Sequence, residues 1–367
     1  MDKNKVSVDQ LALIYLLIVA GGKFLSLPSI LAQDVGHDSW LVLCFSFLWD
    51  GICLAFLLWA IKINARAKLD IASILNKSVS KIVAKIIFAV FFVMFILRAN
   101  ILLSACFKMF SATFDVSTNW IVYVLPVAAV GFFAVFRGFN AIARTSQALF
   151  GLIVLSIVAL LVAPVIEVEF SQLLPIGEAG FGKIVETSFM RSFWFSDYIF
   201  IYFVMDGISF KKRVFSPMLV SFGIGAVLTV LMNAVFVALF GSLAPTFDLA
   251  MSKIGIFASS STTNGRWDWL TLSIWMISVF IKITVFIFCA YKCVEKILDK
   301  NFVKLNWIVA VFITLTLMLP LFVSIETLSN TVVMWGIVPF CVIQYLLPLL
   351  MPLFTKVAIA KTEVKSE

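Results

Sequence analysis

The sequence predicts an all-α integral membrane protein of ten transmembrane helices, arranged as two inverted five-helix repeats with broken first and sixth helices. Three observations carry this reading. Of the 367 residues, 62% are hydrophobic and only 13% are charged, against roughly 25% charged in soluble domains, and the mean hydropathy is +1.10. Apolar runs of about 20 residues, enough to cross a bilayer, recur from end to end, so they are neither one buried core helix nor a cleaved signal peptide. The first run is interrupted at Val19-Ala20-Gly21-Gly22-Lys23-Phe24, where an ammonium follows a glycine pair and Pro28 lies just beyond.

Hydropathy places the spans at roughly 8–34, 39–62, 84–112, 119–136, 144–164, 187–210, 214–243, 268–298, 304–323 and 330–354. The chain reads as one transmembrane domain over 1–367, with repeat one at about 8–164 and repeat two at about 187–354. Most connections are short. Segments 165–186 and 244–267 are longer and rich in Gly, Ser, Thr or acidic residues, and they read as outer surface loops.

Orientation follows from the 28 lysines and arginines. With a cytoplasmic N-terminus they fall on the inner side, except Lys183, Lys253 and Arg266 in outer loops and Lys23, Arg98, Lys108, Arg191 and Lys282 within spans. The positive-inside rule is met at every turn, which puts both termini in the cytoplasm. The net charge of +8 then reflects topology and an anionic inner leaflet of the lipid bilayer, not nucleic acid.

Cys44, Cys53, Cys106, Cys289, Cys293 and Cys341 all lie in spans and read as small apolar fillers, the Cys289 and Cys293 pair included. His37 is the only histidine. The chain has no catalytic triad, histidine cluster, phosphate-binding loop or dinucleotide fingerprint, so it is expected to be no enzyme and to need no metal or cofactor.

Backbone leaves regular helix at membrane depth only where protein or a water-filled cavity replaces lipid, because an unpaired amide in hydrocarbon costs several kcal/mol. Gly21-Gly22 marks such a place, and in the inverted-repeat plan the sixth span should be broken too. There the chain reads Arg191-Ser192-Phe193-Trp194-Phe195-Ser196-Asp197, with no glycine. An acid at that depth costs roughly 3 kcal/mol and must be paired or hydrated. Lys23 and Asp197 are the expected partners at a central site; the alternative is an ion pair that only fixes helix register. Exchanging the two charges is expected to restore assembly but not ligand recognition.

Other charges fall inside spans. Arg98, beside Asn100, lies roughly 21 Å along the third span, and Asp50 is mid-depth in the second. Lys108 and Arg191 are near enough to the outer ends to snorkel, and Asp206 is expected to meet Lys211 or Lys212. Lys282 lies in the eighth span, where sodium-coupled transporters with broken helices hold their cation. A fixed ammonium there substitutes for the cation, which predicts sodium independence. Alternatively it turns to lipid headgroups or pairs with Asp50.

The candidate ligand-binding residues are therefore Gly21, Gly22, Lys23 and Ser26 at the first break, Arg98 beside it, and Trp194, Ser196 and Asp197 at the second. An amino-acid zwitterion suits them. Its carboxylate would take the amides of the first break and Lys23, its ammonium would take Asp197, and Trp194 and Phe195 would supply apolar, cation-attracting surface.

Leu27-Pro28 after the first break, Leu174-Pro175-Ile176-Gly177-Glu178-Ala179-Gly180 before the sixth span, and Arg266-Trp267-Asp268-Trp269 leading into Ile274-Trp275 resemble the B subunits of spore-germination receptors. These belong to the amino acid, polyamine and organocation transporter superfamily. The resemblance covers nearly the whole chain. It departs from the family pattern at Lys23, where an apolar residue is common, and at Ser196-Asp197 and Met205-Asp206, where Gly-Glu and Pro-Glu are common. It implies a subunit that binds a small germinant, often an amino acid, and acts with an A-type subunit and a lipoprotein C-type subunit in the spore inner membrane. Two other functions stay open: a sodium-independent amino-acid permease working by alternating access, and a nontransporting structural subunit.

Overall fold

The chain enters its first helix through a capping box. The Gln10 amide donates to Ser7 Oγ at 3.2 Å and the Ser7 amide donates to the Gln10 side chain at 3.1 Å, so two amides that the first turn would leave bare are satisfied. The structure is a computed structural model that describes residues 6–114, 119–205, 208–209, 214–260, 268–298, 306–318 and 337–363. In it α1 runs over Val8–Gly21 and stops. Turns occupy residues 22–26, and α2 resumes over Leu27–Val35 with Pro28 in its first turn, where a missing amide hydrogen costs nothing.

The other long helices follow the hydropathy. They are α3 (Ser39–Asn64), α5 (Lys81–Phe114), α6 (Trp120–Arg137), α7 (Phe139–Val162), α10 (Phe215–Phe240) and α12 (Asp268–Ile297). Gly138 alone separates α6 from α7. Its φ of +76° is a backbone state that a side chain disfavours, and it lets the chain reverse without a loop. Seven stretches are long and apolar enough to cross a membrane: Leu27–Asn64, Lys81–Ser111, Trp120–Arg137, Phe139–Glu167, Phe215–Thr246, Leu272–Ile297 and Ile337–Thr362. This is a multi-pass, all-α membrane protein. Among the described residues the only strands are the two-residue β1 (Val6–Ser7) and β2 (Ile208–Ser209), which pair in parallel.

The predicted sixth span is not one helix. It divides into α8 (Phe181–Met190), a 3-10 turn at Ser192–Trp194, a second 3-10 turn at Asp197–Phe200, and α9 (Ile201–Val204). Two connections hold helices that hydropathy does not show: α4 (Ile71–Ser78) between the second and third spans, and α11 (Ala250–Ser260) inside the predicted loop 244–267. The predicted ninth and tenth spans fall partly on described residues, as α13 (Asn306–Leu317), α14 (Ile337–Cys341), a π turn at Val342–Leu346 and α15 (Leu347–Glu363). The last helix thus continues past the predicted end at residue 354.

α1 and α12 form the centre. α1 is apolar on every face and buries most of its length, as expected of a helix surrounded by others. α12 packs on α5, α1, α6 and α7. The α1 and α12 backbones approach closely at Gly21, where an added Cβ would sit 2.6 Å from Ser278 Oγ and 3.3 Å from the Ser278 carbonyl carbon. Phe24 stacks on Trp275 of α12 with ring centroids 6.4 Å apart, so the break in the first helix rests on an aromatic floor.

The Leu174–Gly180 segment docks onto the turn between α2 and α3. The Gly177 and Ala179 amides donate to the fully buried Asp38 carboxylate at 2.8 and 2.9 Å, and His37 Nε2 donates to the Pro175 carbonyl at 2.6 Å. Arg191 does not snorkel: it makes a bidentate pair with Asp34 at 2.7 and 2.8 Å. The C-terminal ends of α2 and α8 are therefore tied together. Asp206, Lys211, Lys212, Arg266 and Trp267 lie outside the described residues.

Candidate functional site

A helix that stops at Gly21 leaves its last carbonyls without partners from a following turn. Two lysines meet them. Lys23, from the break itself, folds back so that its ammonium donates to the Val19 carbonyl at 3.3 Å. Lys282, from the middle of α12, donates to the Ile18 carbonyl at 2.9 Å. Cations at the negative end of a helix are favourable, but both are almost wholly buried and need a counter-charge.

Asp197 supplies it. Its carboxylate pairs with Lys23, takes the Lys282 ammonium at 3.0 Å, and lies 3.9 Å from the Arg98 guanidinium of α5. The expected Lys23–Asp197 pair is thus one part of a cluster of three cations around one carboxylate. Lys282 faces this cluster, not lipid headgroups or Asp50. Arg98 also donates to the Phe195 carbonyl at 2.5 Å, an acceptor released because the chain is not helical there.

The second break has no glycine, and Asp50 of α3 explains how it holds. Ser196 sits at φ +62° and ψ +36°, in the left-handed region that non-glycine residues seldom occupy. The Asp50 carboxylate accepts from the Ser196 amide at 2.7 Å and from Ser196 Oγ at 3.1 Å, which fixes that backbone state and aims Asp197 at the lysines. The Ser196 hydroxyl is spent on this contact. Asp50 and Arg98 do not pair with each other; each holds one side of the same break.

Phenylalanines wall the cluster. The Lys23 ammonium lies 5.5 Å from the Phe195 ring centroid and 5.7 Å from that of Phe47; the Arg98 guanidinium lies 5.3 Å from Phe193. Ring faces attract cations and exclude water, which strengthens the ion pairs they enclose. A small cleft opens beside the cluster, lined by Arg98, Phe193, Trp194, Asp197, Lys282 and Phe286 among others. Of the residues expected to bind ligand, Arg98, Trp194 and Asp197 line it. Lys23 lies behind Asp197. Gly21 and Gly22 face α12, where a Cβ on Gly22 would come within 3.1 Å of the Lys282 side chain, so they provide room for helix packing. The Ser26 side chain makes no capping hydrogen bond to α2. Among the described residues no three His, Cys, Asp or Glu side chains converge as a metal site would require.

Sequence reasoning missed Asp50 as the support of the second break and Asp38 as the anchor of the 174–180 segment. Both carry a signal in the sequence, since each is an acid beside or within an apolar run, and such groups need partners.

Two broken helices packed around α12 form the core of this multi-pass, all-α membrane protein. A mutant manganese transporter from Eremococcus coleocola shares the fold, with a TM-score of 0.53 and 13% identity, over 96% of this chain and 76% of that one. No curated protein sequence matches the chain. A family model described as spore germination protein, of the spore permease type, matches residues 5–332, and the chain belongs to that family.

Proposed function

We propose that this protein is the membrane subunit of a spore germinant receptor, binding a small germinant such as an amino acid in the cleft beside Asp197. The reading rests on one observation above the others: two helix breaks meet at a buried cluster of Lys23, Asp197, Lys282 and Arg98 that opens into a lined cleft. A purely structural ion pair needs no cleft. Membership of the germination family supplies the biological setting.

In this reading the chain forms ten spans in two inverted five-helix repeats. The pair α1 and α2 is the discontinuous first span, α8 to α9 the discontinuous sixth, and α12 the eighth. Both termini are cytoplasmic, and the protein acts in the spore inner membrane with an A-type subunit and a lipoprotein C-type subunit. Ligand favours one arrangement of the broken helices, and the partners respond to that shift. Lys282 takes the place of a coupling sodium ion.

A ligand screen by thermal unfolding of the purified protein, with and without sodium, tests this directly. The expected result is a raised unfolding midpoint with a small subset of compounds, equal in sodium and potassium. No shift with any candidate germinant, in a protein that unfolds cooperatively, would sink the reading.

A further inference from the structure

At the end of the bundle where α3 and α15 finish and α10 begins, several lysines are already committed. Lys296 pairs with Asp70 at 2.6 Å, Lys77 donates to the Thr362 hydroxyl at 2.7 Å, and Lys361 donates to the Lys77 carbonyl at 2.7 Å. Two exposed lysines differ. The Lys356 ammonium of α15 lies 5.7 Å from the Trp59 ring of α3, and the Lys62 ammonium, in the last turn of α3, lies 6.0 Å from the ring of Phe215, which opens α10. Among the described residues neither meets a carboxylate. These helices offer none: from Gly51 to Phe114 the only acid is Asp70, which is spent on Lys296, α10 carries no acid, and α15 has none before Glu363.

Trp59 and Lys62 are three residues apart and so are neighbours on one helical face. Lys356, drawn over Trp59, therefore comes within about one turn of Lys62 along α3. The surface leading to this pair is apolar. α3 exposes Leu48, Ile52 and Trp59, while α15 exposes Leu353 and Val357, with Leu346 exposed in the π turn before it. α3 and α15 pack on each other, and the Lys356–Trp59 contact joins their two stripes. A tryptophan and lysines at the end of such stripes mark the level where hydrocarbon gives way to headgroups. Ring faces compensate an ammonium only in part, and the anion available at that level is a lipid phosphate.

We propose that this seam is a binding site for an anionic phospholipid, its phosphate held by Lys62 and Lys356 and its acyl chains along the two apolar stripes. The site is separate from the cleft beside Asp197 and does not depend on it. A general attraction to an anionic leaflet would spread over every exposed cation at this end, whereas a site resides on one pair.

Native mass spectrometry of the full-length protein, released from micelles holding equal parts of phosphatidylglycerol and phosphatidylcholine, counts the lipid retained. The wild-type protein is expected to favour phosphatidylglycerol by about tenfold or more. Lys62→Gln with Lys356→Gln is expected to lose that preference by about tenfold, and Lys62→Arg with Lys356→Arg to keep it. Lys81→Gln with Arg137→Gln removes the same charge from exposed positions on α5 and α6 and should alter retention by less than about twofold. All four side chains are exposed, so folding is not at stake. Equal retention of the two lipids by the wild-type protein overturns the proposal. Wild-type retention in the Lys62 and Lys356 glutamine variant overturns it too, as does an equal loss in the two glutamine pairs, which would mark a diffuse attraction.

Discussion

Lys282 donates to the Ile18 carbonyl at 2.9 Å, joining the middle of α12 to the last turn of α1. The same ammonium contacts Asp197 at 3.0 Å, so one side chain bridges a freed helix carbonyl and a buried carboxylate as a bound metal cation would.

Sodium is therefore expected to leave wild-type stability unchanged. Lys282→Met removes the bridge and is expected to cost roughly 3–5 kcal/mol, because Asp197 loses one of its partners while staying buried. Part of that loss should return with added sodium and not with a bulkier organic cation. Thermal unfolding in sodium and potassium buffers checks this, and a wild-type midpoint that rises with sodium would count against it.

Exchange of the central pair is expected to fail. In the double variant Lys23→Asp with Asp197→Lys, an ammonium at position 197 would face Lys282 and Arg98, placing three cations together. The expectation that exchange restores assembly assumed an isolated pair, and the cluster argues against it. Each single variant and the exchange should all express poorly or unfold early. A double variant with wild-type stability would show that the pair is independent of its neighbours.

Gly21→Ala is expected to destabilise by about 1–3 kcal/mol through overpacking against α12. Ser278→Gly in the same chain removes the side-chain atoms nearest the new methyl and should recover part of the loss. Unfolding midpoints of the two single variants and the double variant give the coupling. Additive losses would mean that the two helices separate more easily than their packing implies.

Asp70 carries a pH dependence outside the membrane. It caps α4 through the Ser73 amide at 3.0 Å and accepts from Lys296 of α12 at 2.6 Å. Burial pushes its carboxyl up, but the Lys296 and Ser73 hydrogen bonds outweigh burial and hold it below its ordinary 3.8. Its stabilising contribution is present above 3.8 and is lost as pH falls through the lowered folded value. Asp70→Asn keeps a cap and loses the ion pair, so it should cost up to about 1 kcal/mol at pH 7. The difference from wild type should shrink near pH 3, as read by unfolding at the two pH values.

Much of the site was legible because charge inside an apolar run is expensive. Lys23, Asp50, Arg98, Asp197 and Lys282 all stand out in the sequence for that reason. Their pairing was only partly legible, since it depends on which way each helix turns. Arg98 and Lys282 converge on Asp197 because α5 and α12 present those positions to the same break, and spacing along one helix does not reveal the rotation of another. The short α4 escaped hydropathy because its eight residues include only three that are strongly apolar, Ile71, Ile74 and Leu75, too few for a span. The second break was visible as an acid and two serines, but its mechanism was not, because a left-handed Ser196 is held by Asp50 from a different helix.

Composition and hydropathy alone determined that this is an all-α, multi-pass membrane protein, because hydrocarbon tolerates only backbone that satisfies its own hydrogen bonds. They also marked where the first helix stops, since Gly21-Gly22-Lys23 cannot run through lipid as an ordinary apolar turn. Tertiary structure decided what the buried charges do. Packing placed three cations on one carboxylate, committed Asp50 to the backbone of Ser196, and turned Arg98 toward Asp197 and the Phe195 carbonyl. The cost of burying a charge can be read residue by residue, but its compensation is a property of atoms brought together from distant parts of the chain.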